Sequence, residues 1–234
     1  MALFVIGDLH LALGSDKPMD IFPGWQGYLA RLTQQWQATV APQDTVVVPG
    51  DVSWAMKLEN TLEDFRFLHA LPGQKLLGKG NHDYWWTTRA KMERFLEEND
   101  LTSLHFLHNN SFLAEGVALC GTRGWMFEPG DVHDEKIIRR EVGRLAFSLQ
   151  HAQKNWPEAE RIAFLHYPPV HPDAWAGEMT EVLQEYGVKR CYYGHLHGPA
   201  IRRAFQGEKD GIMYTLASAD ALGFAPLKIE TDFT

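Results

Sequence analysis

In four places a short apolar run of this chain ends in a glycine followed at once by a residue able to bind a metal. These are Phe4-Val5-Ile6-Gly7-Asp8, Val46-Val47-Val48-Pro49-Gly50-Asp51, Leu76-Leu77-Gly78-Lys79-Gly80-Asn81 and Cys191-Tyr192-Tyr193-Gly194-His195. A fifth run, Ile162-Ala163-Phe164-Leu165, ends directly in His166. Short apolar runs bounded by glycine read as buried strands. Ligands in open α/β sheets collect at the carboxyl ends of such strands, so five strands are expected to deliver side chains to one place. Oxygen and nitrogen donors gathered there predict a two-metal site.

Between these strands the period changes from two to that of a helix. Leu29, Leu32, Trp36 and Val40, then Leu62, Phe65, Leu68 and Leu71, then Met92, Phe95 and Leu96 after Thr87-Thr88 each mark an apolar stripe. Alternation of strand and helix predicts right-handed crossovers and a largely parallel sheet for the first half. After Asn99 the texture shifts to short strands at about 105–107, 112–113 and 117–120, with Asn109-Asn110 as a hairpin corner, which predicts a second, partly antiparallel sheet. A charged helix over about 134–153, a strand at 162–166, a helix around 179–186 and a strand at 190–193 follow. Strand-like runs near 200–205, 212–216 and 227–229 complete the reading.

Composition narrows the function. With 45% hydrophobic and 22% charged residues the 234-residue chain matches ordinary globular usage, and one α/β domain over residues 1–234 is expected. A net charge of −8 argues against a broad nucleic-acid face, because phosphate backbones need clustered Lys and Arg. The N-terminus has the form of neither a secretion signal nor a membrane span, and Cys120 and Cys191 both fall in apolar strand-like segments. A reducing cytoplasm fits that usage.

Asp8 and His10 stand two apart, as do His195 and His197, so each pair can point the same way from a strand end. Carboxylate and amide oxygens mixed with imidazoles suit manganese, iron or zinc better than calcium or magnesium alone. Taken in order, Asp8-Leu9-His10, Gly50-Asp51, Gly80-Asn81-His82-Asp83, His166 and Gly194-His195-Leu196-His197 resemble the motif set of the calcineurin-like metallophosphoesterases. That resemblance implies a four-layer α/β/β/α sandwich with two mixed sheets and the metal site at strand carboxyl ends. It implies that Asp8, His10 and His197 hold one divalent ion with Asp51, that Asn81, His166 and His195 hold the other, and that Asp51 bridges them. The implied nucleophile is a hydroxide between two ions, manganese first, with iron or zinc as substitutes. His82 would approach the substrate phosphate, and Asp83 would orient His82.

The residues after Asp51 differ from those of the protein phosphatases of that superfamily, and no tyrosine stands where purple acid phosphatases place a metal ligand. The resemblance is therefore to the bacterial branch that includes cyclic-nucleotide phosphodiesterases and lipid-precursor pyrophosphatases, whose motifs the larger DNA-repair nucleases share. The expected activity is hydrolysis of a small phosphodiester, with phosphomonoester or pyrophosphate cleavage, or a non-catalytic metal-binding scaffold, as alternatives. Arg123, in another glycine-flanked turn, either clamps a phosphate or closes a salt bridge. Arg139, Arg140 and Arg144 are expected on a solvated helix face. Trp54, Trp85, Trp86 and Trp125 follow closely on site residues and suit either core packing or a substrate with an apolar or planar part.

Overall fold

Side-chain alternation along the strands decides how the layers stack. The structure, a computed structural model, describes residues 1–125, 132–171, 174, 175 and 177–231. Strands β1 (Leu3–Val5), β2 (Thr45–Val48), β3 (Gln74–Leu77) and β4 (Leu104–Phe106) are separated by helices α1 (Tyr28–Thr39), α2 (Leu62–Ala70) and α3 (Arg89–Glu98). Next come β5 (Ser111–Ala114), β6 (Val117–Thr122), helix α4 (Val132–Asn155), β7 (Glu160–Leu165), β8 (Val170–His171) and β9 (Ala174–Trp175). Helix α5 (Gly177–Glu185), β10 (Arg190–Tyr193), β11 (Gly207–Lys209), β12 (Ile212–Leu216) and β13 (Leu227–Ile229) complete the order.

The first sheet runs β13-β1-β2-β3-β4, parallel except for β13, and the second runs β11-β12-β10-β7-β6-β5, parallel except for its two edge strands. Along β1, Leu3 and Val5 join Val47, Leu119, Ile162 and Phe164 in a core between the sheets. Phe4, Val46 and Val48 face the other way, onto Leu32 and Trp36 of α1 and Phe65 of α2. On the second sheet Cys120, Ala163 and Cys191 pack outward against Leu145 and Leu149 of α4 and Leu183 of α5. A period of two thus builds helix, sheet, sheet, helix, the expected four-layer sandwich.

Three expectations change. The strand at 104–106 belongs to the first sheet, parallel to β3, because Leu104 and Phe106 pack into the helix-side core. Asn109-Asn110 is therefore no hairpin corner: Asn109 takes φ +58° and Asn110 bonds His108 N and Phe106 O, turning the chain from one sheet into the other. The actual β5–β6 hairpin turns at Glu115-Gly116, with φ +50° and +76°, the left-handed pair a two-residue turn needs. Residues 198–203 form a 3-10 turn and not a strand. Among the described residues no helix is long and apolar enough to cross a membrane, and Cys120 and Cys191 are buried and free.

The carboxyl ends of β1, β2, β3, β7, β10 and β12 all meet on one side. A bridge from Gly7 to Ser218, closed by Gly7 N to Ala217 O and Ala219 N to Gly7 O, stitches the two sheets together there.

Candidate metal centre

The structure brings Asp8, His10, Asp51, Asn81, His166, His195 and His197 into one cluster at that junction, with His82 beside them. Asp8, Asp51 and His166 offer ligand atoms all within 4.8 Å of one another, and all three are buried. Oδ2 of Asp51 lies 3.6 Å from His166 Nε2 and 3.8 Å from His10 Nε2. Asn81 Oδ1 stands 2.6 Å from His166 Nε2 and 2.9 Å from His195 Nδ1. The His10 and His197 rings meet edge to face at 5.2 Å, and His166 and His195 do so at 5.1 Å.

Backbone geometry aims these groups. Asp8, His10, Asp51 and His195 themselves take left-handed φ values of +55°, +46°, +50° and +72°. Such conformations cost energy outside glycine and recur where a site overrides local preference. The neighbouring glycines mostly serve close approach: a Cβ on Gly194 would lie 2.5 Å from Asp8 Oδ2, and one on Gly80 would overlap the Asp51 carboxylate. Gly50 does both, with φ +110° and no room beside Gly80 N.

Several buried polar atoms here have no hydrogen-bond partner among the described residues: both ring nitrogens of His10, Asp51 Oδ2 and His166 Nδ1. Folded proteins seldom leave such groups unsatisfied, since each costs free energy. Lone pairs from carboxylate, amide and imidazole converging on one buried spot fit divalent transition ions. Electrostatics agrees. Burial raises the Asp8 carboxyl to about 7 and pushes Asp51 up as well, while it lowers His10 and His166 and takes His195 down to about 4. The imidazoles are thus already neutral, as ligands must be, and the carboxylates must lose protons to bind.

That asymmetry sets a pH dependence. A carboxyl raised from 3.8 to about 7 stabilises the metal-free fold at low pH and loses that contribution as pH rises through about 7. Added metal needs the ionised form, so its affinity is expected to fall about tenfold per pH unit below pH 7. At a hundredfold excess over Kd, manganese is expected to raise Tm by roughly 5–10 °C at pH 8. At pH 5.5 the same concentration should give a clearly smaller shift in a thermal melt, and an equal shift at both pH values would refute the ionisation argument.

Asp83 departs from the role the resemblance implies for it. Its Oδ2 accepts from Asp51 N at 2.9 Å and Gly80 N at 2.7 Å, and its Oδ1 from Val52 N, Ser53 N and Trp85 Nε1. No bond runs from it to His82, whose Nδ1 lacks a partner among the described residues. The reason is position: Asp83 sits fully buried behind the loops, clamping the turns after β2 and β3, while His82 faces the cavity. Asp51 Oδ1 instead receives His82 N at 2.8 Å.

Arg123 reaches the site through its backbone, whose carbonyl accepts from His166 N and Tyr167 N. Its guanidinium lies 3.6 Å from the buried Glu141 and over Trp125. Arg144 binds that same carboxylate at 2.6 Å, so it is drawn inward from the solvated face expected for it, whereas Arg139 pairs with Glu135 on the surface. His69, His105 and His151 are engaged by Ser103, Gln74 and Ser111 away from the centre. The His133 side chain lies outside the described residues.

Sequence reasoning passed over Trp25 and Ser218. Trp25 packs edge-on near His10 and His197, and Ser218 turns its hydroxyl toward Asp8 without closing a regular bond. Ser218 follows β12 as Asp8, Asp51 and His195 follow their strands, but Ala217-Ser218 lacks the glycine that precedes each of those three. Trp54, by contrast, stacks on His10 at 5.1 Å, while Trp85 is core.

Comparisons with known proteins bear on the fold and the family. A phosphopantetheinyl hydrolase of Mycobacterium tuberculosis superposes with a TM-score of 0.58 at 14% identity, covering 99% of this chain and 96% of its own. A protein of Thermus thermophilus gives 0.55 at 12% identity, with 98% of each chain covered. A protein of unknown function from Aquifex aeolicus gives 0.52 at 16% identity, over 97% of this chain and 95% of that one. At such identities these likenesses speak for the fold alone. No curated protein matches the chain. The family profile described as Calcineurin-like phosphoesterase, however, matches residues 1–199, which carry every motif named above, and the chain belongs to that family.

Proposed function

We propose that the chain is a phosphodiesterase, one domain over residues 1–234, with a dinuclear centre. Asp8, His10 and His197 would hold one ion, Asn81, His166 and His195 the other, and Asp51 both. The observation that carries this reading is Asp51 Oδ2, without a hydrogen-bond partner among the described residues and placed between His10 and His166, one from each proposed set. When bound, two divalent ions, manganese before iron or zinc, supply positive charge for phosphoryl oxygens and a water acidic enough to attack at neutral pH. His82 is half-buried, and burial lowers its imidazole, so it meets the phosphate as a neutral N–H donor that stabilises charge on the leaving oxygen. Arg123, whose buried Nε has no hydrogen-bond partner among the described residues, would add a donor to the phosphate.

Two features favour a diester over a monoester. A monoester dianion asks for more cations at the site than a diester monoanion, and Arg123 is already shared with Glu141. A diester also carries a second organic group, for which there is room beside His82 and His197. Manganese-reconstituted protein is expected to turn over bis(p-nitrophenyl) phosphate with kcat/KM at least about tenfold above that for p-nitrophenyl phosphate. Monoester preference would make it a phosphatase, and turnover of neither would leave the metal-binding scaffold.

A further inference from the structure

Directly beside the proposed centre opens a cavity of about 760 Å³, and His82 and His197 form part of its wall. The remaining lining is Met19, Phe22, Trp25, Trp54 and Pro199 with their neighbours, and among the described residues Arg202 is its one other ionisable side chain. The apolar wall begins at the proposed chemistry: the Trp54 ring is 4.2 Å from that of His82.

The wall is pre-formed. Gln26 donates to the carbonyls of Asp20 and Phe22 and accepts from Gly24 N, while Asp20 accepts from Gly27 N at 2.7 Å. This fixes the loop that carries Met19, Phe22 and Trp25. Trp25 is further wedged edge-on between Tyr28 and Phe224.

Two kinds of organic group suit an apolar wall, a nucleobase and an aliphatic chain, and the polar inventory separates them. A base buries several donors and acceptors that must find partners. Among the described residues the lining holds no Asn, Gln, Ser, Thr, Asp or Glu. Even the Trp54 indole N–H is engaged internally, by Met19 Sδ at 3.3 Å. A hydrocarbon chain asks for none of these and gains from every methylene it buries.

We infer that the natural substrate carries an aliphatic chain next to its phosphoester, with Met19, Phe22, Trp25 and Trp54 holding the chain while the phosphate lies toward His82. This rests on the phosphoesterase reading above, and the test separates the two. On manganese-loaded protein, kcat/KM for p-nitrophenyl alkyl phosphates, kept below micelle-forming concentrations, is expected to rise about two- to fourfold per methylene from ethyl to octyl. Phe22→Ser should lower the octyl ester by about tenfold and the ethyl ester far less. Tryptophan quenching by octylphosphonate against ethylphosphonate needs no turnover and should show the same preference. Equal or falling kcat/KM with chain length, or equal binding of the two phosphonates, overturns the inference. If no ester is hydrolysed the enzymatic reading falls, and the phosphonate titration still decides what the cavity holds.

Discussion

Asp51→Asn is expected to reduce metal-dependent phosphoester hydrolysis by about a thousandfold or more while leaving the metal-free fold as stable as before. The two oxygens of Asp51 have separate duties. Oδ1 accepts His82 N at 2.8 Å, and an amide oxygen can take its place. Oδ2 has no partner among the described residues and sits among imidazole nitrogens, where an amide NH₂ would find acceptors and would give up the charge and lone pairs a shared ligand supplies. Metal analysis should show fewer than two ions per chain, and a thermal melt without metal should match the parent protein. His82→Gln provides the contrast: turnover falls by about 10²–10⁴ with both ions retained, since His82 is assigned to the phosphate. Two ions and near-parent rates in Asp51→Asn would remove Asp51 from the bridge.

How much of this was legible beforehand follows from where each signal lies. The strands that carry the candidate ligands announce themselves because a buried parallel strand must be apolar throughout and must then stop, so Val46-Val47-Val48 and Leu76-Leu77 point to Asp51 and Asn81 without tertiary knowledge. Assigning β4 to a sheet was beyond local pattern. Leu104 and Phe106 alternate as in any half-buried strand, and only packing against Phe65 and Trp86 decides which sheet they join. The 198–203 segment is ambiguous for a similar reason: an apolar pair in a short run fits a strand or a 3-10 turn equally, and Pro199 stands at the start of the turn. Positive φ is hard to foresee as well, since glycine is its usual carrier and here Asp8, His10, Asp51 and His195 adopt it themselves. Hydrogen-bond destinations are the least legible of all. Asp83 follows His82 in the chain, which suggests a pair, yet adjacent residues leaving a tight turn point to opposite sides.

The largest expected loss of stability lies at Asp83. Asp83 is buried, and five donors converge on its carboxylate: the backbone N–H groups of Gly80, Asp51, Val52 and Ser53 and the Trp85 indole. Burial nonetheless outweighs these bonds and raises the carboxyl to about 6, so the charge is costly and the bonds are what hold it. Asp83→Ala strands all five donors. At about 1–3 kcal/mol for each buried unsatisfied group, and with some relaxation of the loops, a loss of about 5 kcal/mol is expected. That corresponds to a fall in Tm of roughly 10–20 °C for a chain of this size. Asp83→Asn keeps one oxygen and turns an NH₂ toward N–H groups, so it should fall between Ala and the parent. In both variants metal binding should weaken along with stability, because the clamp fixes the turns that present Asp51 and Asn81. An Asp83 whose task was to orient His82 would give the opposite pattern, with turnover reduced in Asp83→Asn while Tm and metal content stayed at parental values.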